Sequence, residues 1–377
     1  MDHAPTLGAI VRAKAGELLA SSSLSPHQLR TFRAIADCRT PALGGHRDRC
    51  DSCGHEQTQW NSCRNRHCPL CGGAARAAWI EARRSEVLPT PYFHAVFTIP
   101  EELNVLAIHA PAVVYAILLR AAGRALVDVA QTKLRATLGV TAMLHTWGQQ
   151  LQFHPHVHCV VSGGGFSLDG TRWVRVPKVS FLLAVKVISS RFRSLVTTAI
   201  REALAHGEMT LPPSIPDAPA LERLLRLSCR TDWHSYVKKP FGGPDQVLAY
   251  LSSYTHRIAI SNRRIVAFDG ENVTFTWHDY NDHYAARTTT LTATEFLRRF
   301  AMHIVPPRFV RIRYFGFLAN PVRHHNIALA RKLIASKLRP REPRPEPQHL
   351  CPECGTGVMS IIARVAPYIP RTWFDTS

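Results

Sequence analysis

Three groups of residues in this 377-residue chain have the types and spacing to do chemistry. The first is a pair of Cys-x-x-Cys knuckles, Cys50-Asp-Ser-Cys53 and Cys68-Pro-Leu-Cys71, with 14 residues between them. Each knuckle offers two thiolates, and two such pairs match tetrahedral ligation of one zinc ion. The spacing therefore predicts a single structural Zn2+ held by Cys50, Cys53, Cys68 and Cys71. Cys38, Cys63, His46, His55 and His67 lie close by in sequence, as ligands of a second ion or as outer hydrogen-bond donors. Cys351-Pro-Glu-Cys354 is half of a site with no second knuckle near it in the chain, which is weak evidence for metal.

The second group is His154-Pro-His156-Val157-His158, followed by Cys-Val-Val161. Alternate side chains of a strand share a face, so His156 and His158 converge, while Pro155 disturbs the ladder beside His154. Such a pair serves either as satisfied sheet histidines or as ligands of a divalent ion with open positions for phosphate oxygens. Gln152, His154 and His94 are candidates for a third ligand. The third group is Tyr250 and Tyr254, four residues apart on a helix that Pro244 opens, beside Val247 and Leu251. Two phenols can reach one site from that face, or simply pack in its apolar stripe. Tyr280 and Tyr284 repeat the spacing, but in a polar turn.

The elements that must position these groups follow from patterning. Leu7–Ala20 and Ser25–Cys38 read as short helices, the second with Ser25 as N-cap. Ala74–Val87 is helical, Tyr92–Ile99 a strand, Ala110–Leu138 a long helix, and Thr141–Trp147 and Leu151–Val161 strands. Asp169-Gly170 and Asp269-Gly270 are hairpin turns, Leu182–His206 is a helix, and Thr292 with Glu295 caps another. The expected class is α+β, with a central, mainly antiparallel sheet flanked by helices. Residues 1–88 would form an N-terminal helical and zinc-ribbon module, 89–305 the central domain, and 306–377 a basic C-terminal segment with a proline-rich linker.

Composition narrows the partner. Lys and Arg number 46 against 27 Asp and Glu, a formal charge of +19, and only 8 of those cations are lysine. An arginine-rich positive field favours a polyanion, and the guanidinium fork suits phosphate. Arg64 and Arg66 lie between the knuckles, and Arg257, Arg263 and Arg264 follow the tyrosine helix; all five are candidates for gripping a strand. The longest apolar run, Ala110–Leu119, falls short of a membrane span, so a cytoplasmic protein with no membrane partner is expected, its thiols reduced.

Four stretches together resemble a family: Ser62-Cys-Arg-Asn-Arg-His-Cys-Pro-Leu-Cys71, Phe93-His-Ala-Val-Phe-Thr-Ile-Pro100, His154–Val161 and Tyr250–Arg264. Their order over roughly Cys38 to Leu318 is similar to that of the IS91-type rolling-circle transposases, which belong to the histidine-hydrophobe-histidine (HUH) nucleases. That resemblance implies a zinc module ahead of an HUH nuclease domain. It also implies a catalytic Mg2+ or Mn2+ on His156 and His158, with Tyr250 and Tyr254 as nucleophiles. The implied activity is cleavage and rejoining of single-stranded DNA at element ends and target site, through a 5′-phosphotyrosine. Two rivals are a zinc-dependent DNA-binding regulator without catalysis, and a transposase using an acidic triad.

Overall fold

The computed structural model describes residues 5–20, 24–177, 182–238, 241, 244–255, 258–279, 282–334 and 349–368, without the side chains of 74–75, 244–245 and 252–255. Helices α1 (Leu7–Ala13), α2 (Ala15–Ala20) and α3 (Pro26–Asp37) lead into strands β1 (Gly45–Cys50) and β2 (Glu56–Trp60) and helix α4 (Gly72–Arg84). Next come β3 (Tyr92–Thr98), α5 (Asn104–His109), α6 (Pro111–Leu134), β4 (Ala136–Trp147), β5 (Phe153–Ser167) and β6 (Trp173–Arg175). The chain continues through α7 (Val185–Ala205), α8 (Ala218–Ser228), β7 (Ser235–Lys238), α9 (Pro244–Thr255), β8 (Ile265–Phe268), β9 (Asn272–Asp279) and β10 (Ala285–Thr292). It ends with α10 (Ala293–Ala301), β11 (Ile312–Gly316), α11 (Arg323–Ile334) and β12 (Met359–Val365). The class is α+β, as the pattern predicts.

The central sheet runs in the order β11-β4-β5-β3-β7, with β6 added to β5 and every pairing antiparallel. Period-two alternation splits its faces. Val157, Cys159 and Val161 join Phe97 in a core closed by α6 and α7, where Leu118, Leu126 and Phe192 are fully buried. Val160 lies on the other face, packed with Met143 of β4, Val247 and Leu251 of α9, and Trp79 of α4. His156 and His158 alternate with the core-facing residues and so share this second face.

A second core joins α1 and α3 to the β8-β9-β10 sheet and α10, with Phe32 and Phe300 ring centroids 5.9 Å apart. The Ser25 capping box that opens α3 is complete, and Gly170 and Gly270 take the positive φ angles that the two hairpin turns require.

Two expectations change. The long helix stops at Leu134, because Arg135 turns left-handed (φ 52°) and its N–H caps the Ala130 carbonyl. Residues 136–138 instead enter β4, where pairing with Ser167, Phe166 and Gly165 overrides the helical pattern. Nor do residues after 306 stand apart. β11 is the edge strand of the central sheet, and β12 lies antiparallel to β1 as the third strand of the N-terminal sheet. The proline-rich stretch lies outside the described residues. Among the described residues no helix is long and apolar enough to cross a membrane.

Candidate active site and metal centres

β4 and β5 turn about residues 148–152, and His145 lies directly opposite His156. Ligand nitrogens of His145, His156 and His158 lie within 4.8 Å of one another. His156 Nδ1 donates to the His154 carbonyl at 2.6 Å, which leaves Nε2 with its lone pair facing His158 Nε2, 3.1 Å away. On its far side His158 Nδ1 meets His94 Nε2 at 2.9 Å. Burial pushes His94 down to about 3, so its ring is neutral and Nε2 can accept from His158 Nδ1–H. That bond aims the His158 Nε2 lone pair at the cluster. Three converging imidazoles fit a divalent ion.

His94 thus lies behind His158, outside the three-donor group. Gln152 is occupied too, its amide oxygen accepting from Gln150 N–H in the turn, and His154 lies outside the three-donor group. The third donor, His145, was missed by motif reading. No motif carried it: the turn alone would set 145 against 155, and a register shift between His145 and Trp147 brings His156 opposite instead.

The turn itself is clamped from outside. Arg264 Nη2 donates to the Gln149 carbonyl, Arg299 Nη1 to that of Gln150 at 3.2 Å, and His303 Nε2 to that of Leu151 at 3.0 Å. His303 is fully buried and pushed down to about 4 by that burial. Arg264 also donates to the Thr276 carbonyl and covers the Phe275 ring. Its role here is to brace the hairpin, which corrects its expected placement on a DNA-facing surface. Arg263 is exposed, and Arg257 lies outside the described residues.

α9 sits over the same sheet face. The Tyr250 hydroxyl is 3.4 Å from His158 Nδ1, and its ring centroid is 4.7 Å from that of His94. Tyr254 follows one turn later on the helix, with its side chain outside the described set. Of the second tyrosine pair, Tyr284 stacks on His278 in the turn before β10, and Tyr280 lies outside the described residues.

The cysteines divide differently from the expected quartet. Cys68 and Cys71 meet Cys38 and Cys63, while Cys50 and Cys53 meet Cys351 and Cys354. The single site on Cys50, Cys53, Cys68 and Cys71 is therefore replaced by two groups of four. The physical reason is strand pairing: β12 docks on β1 and carries the C-terminal knuckle to Cys50, and α3 ends at Cys38 beside the second knuckle. In the Cys38 group the sulfurs are 3.2 Å apart for Cys38 and Cys71 and 3.5 Å for Cys63 and Cys71. Crowded thiols cannot all ionise: hydrogen bonds from Cys63 and Cys68 push Cys38 down to about 2, while Cys38 pushes both of those up. A divalent cation relieves that conflict, so the donor set fits zinc. Arg64 and Arg66 beside this group are both exposed, with Arg66 Nη1 donating to the Phe309 carbonyl at 2.6 Å.

Two family models match the chain in order. Residues 10–99 match the family model described as "Transposase zinc-binding domain", which contains the whole Cys38 group. Residues 139–326 match that described as "Putative transposase", which contains His145, His156, His158 and Tyr250. The chain is similar to "Putative transposase y4qJ" of Sinorhizobium fredii, at 42% identity over 94% of each chain. It is also similar to the "Transposase for insertion sequence element IS801" of Pseudomonas savastanoi pv. phaseolicola, at 31% identity over 81% of this chain and 73% of that one. Among solved structures, the metal-bound conjugative relaxase TrwC in complex with oriT DNA aligns at 14% identity, covering 43% of this chain and 72% of that one. Its TM-score is 0.24. With a zinc module and a transposase domain matched in order, and relatives alike over most of its length, the chain belongs to the IS91-type family of insertion-sequence transposases.

Proposed function

We propose that this transposase cuts and rejoins single-stranded DNA through a 5′-phosphotyrosine intermediate, with Tyr250 and Tyr254 as attacking groups. The observation that carries the reading is the Tyr250 hydroxyl, 3.4 Å from His158 on the face where three imidazoles converge. The phenol oxygen attacks phosphorus in line, and the bond to the 3′ oxygen breaks. The phenol gives up its proton and the departing 3′ oxygen takes one up, so the ester conserves the bond and rejoining needs no nucleotide. His145, His156 and His158 would hold Mn2+ or Mg2+, and an all-imidazole set favours Mn2+ of the two. When bound, the ion supplies positive charge at a non-bridging phosphate oxygen and helps orient the scissile group. His94 keeps His158 in the ligating tautomer, and α9 holds the phenol against the same face.

The strand itself has a path. A cleft of about 790 Å³ is lined by Arg64, Arg66, Trp79, Arg83, Arg311 and Tyr314, between the Cys38 group and the sheet edge. Guanidinium groups there suit phosphates, and the two aromatic rings suit stacked bases. Trp79 packs in one cluster with Tyr250, so the cleft opens beside the nucleophile helix. A regulator without catalysis would have use for the charge and the zinc but none for the tyrosine and histidine face. An acidic triad has no support, because among the described residues no carboxylate joins a metal-binding group.

The test is incubation with labelled single-stranded DNA from the element's ends and Mn2+ or Mg2+, followed by denaturing electrophoresis. A covalent adduct is expected from the wild type and from Tyr284→Phe, and none from Tyr250→Phe combined with Tyr254→Phe. Phenylalanine fills nearly the same volume, so the double variant should fold normally. An adduct that persists in it would overturn the assignment.

A further inference from the structure

We infer that Cys50, Cys53, Cys351 and Cys354 form a second zinc site, which clasps the C-terminal strand of this chain onto its N-terminal module. Neither matched family model reaches it complete: one ends at residue 99 and the other at residue 326. The sulfur spacing is that of a metal site. With Zn–S bonds of about 2.3 Å a tetrahedron has edges of about 3.8 Å. Cys50 and Cys354, and likewise Cys53 and Cys351, are 3.7 Å apart across the group. A disulfide would need about 2.05 Å.

The two knuckles are built alike. Each reads Cys-x-x-Cys-Gly, with Gly54 and Gly355 both at φ 72° and their N–H groups bonded to the Cys50 and Cys351 carbonyls. Backbone amides point at sulfur in both: Ser52 and Cys53 N–H toward Cys50 Sγ, at 3.4 and 3.5 Å, and Gly357 N–H toward Cys354 Sγ at 3.4 Å. Such donors fix the position of the sulfurs from outside the group. A side chain at Gly357 would run into Cys50 Sγ, so the residue must be glycine for the knuckles to meet. Asp51 ties them together, its N–H donating to the Val358 carbonyl and its carboxylate accepting from Val358 N–H at 2.9 Å.

The site is independent of the reading of catalysis and is tested without it. Metal analysis of the full chain should find two zinc ions per molecule, one in Cys351→Ser combined with Cys354→Ser, and one in Cys63→Ser combined with Cys71→Ser. One zinc in the wild type, or two in the first variant, would overturn the site. A second readout needs no variant. In the zinc-loaded wild type, iodoacetamide should spare Cys351 and Cys354 as it spares Cys50 and Cys53, and a chelator should expose all four together. Cys351 and Cys354 alkylating freely while Cys50 and Cys53 stay protected would refute the shared site.

Discussion

The histidine site takes its donors from one hairpin, residues 145 to 158, whereas the Cys50 group joins residues 304 positions apart. In the hairpin, backbone ladders align His145 with His156 before any ion arrives, so the donors are preformed. In the cysteine groups the donors come from loops and knuckle ends whose closure must be offset, and the metal supplies much of what holds them. Removing an ion should therefore silence the first kind of site and loosen the second.

The largest effects are expected at the hairpin. His145→Ala, His156→Ala and His158→Ala should each lower strand cleavage by about a thousandfold or more, the loss of several kcal/mol of charge stabilisation, with DNA affinity and melting temperature close to wild type. Single-turnover cleavage with a parallel binding titration decides it; full cleavage by His145→Ala would remove the third ligand. At the Cys38 group the effect should invert. Cys68→Ser should lose one zinc per chain and several kcal/mol of stability, read by metal content and thermal unfolding. A variant with full zinc and unchanged stability would show that the donors are held without the ion.

The hairpin's own dependence on distant residues gives the next test. His303 titrates below its ordinary 6.5, at about 4, so its stabilising effect is complete above pH 6.5 and is lost as pH falls toward 4. The loss should reach roughly 3 kcal/mol. His303→Gln keeps an N–H for the Leu151 carbonyl but cannot charge, so denaturant unfolding at pH 7 and pH 4.5 should show a smaller acid loss in the variant. Equal losses would assign the acid sensitivity elsewhere. Smallest is the effect of His94→Phe, which removes the acceptor for His158 and should weaken metal affinity by about 10- to 100-fold, with cleavage restored by added Mn2+. Unrestored cleavage would give His94 a more direct part.

Much of the site was legible because its signals are local. Alternation puts His156 and His158 on one face, a helical repeat puts Tyr250 and Tyr254 on another, and Asp-Gly pairs mark turns whose glycines do take positive φ. Arg264 shows where local reading stops. Its place after the tyrosine helix suggested phosphate, yet its guanidinium is spent on the carbonyls of Gln149 and Thr276. Charge alone does not distinguish a solvent-facing arginine from one that braces a turn, because both serve bare oxygen acceptors.

The sequence by itself determined the principal helices and strands of the central domain, the histidine strand, the tyrosine helix and the thiolate chemistry, since each follows from periodicity or from residues a few positions apart. Only the tertiary structure decided which cysteines converge, that His145 and not His94 joins His156 and His158, and that the C-terminal segment returns to the N-terminal module. The first and third depend on contacts between distant segments, β12 on β1 and the end of α3 beside the second knuckle, and the His145 outcome on a register shift inside one hairpin. Register is set by the sum of packing and ladder bonds across whole strands, so no short motif encodes it.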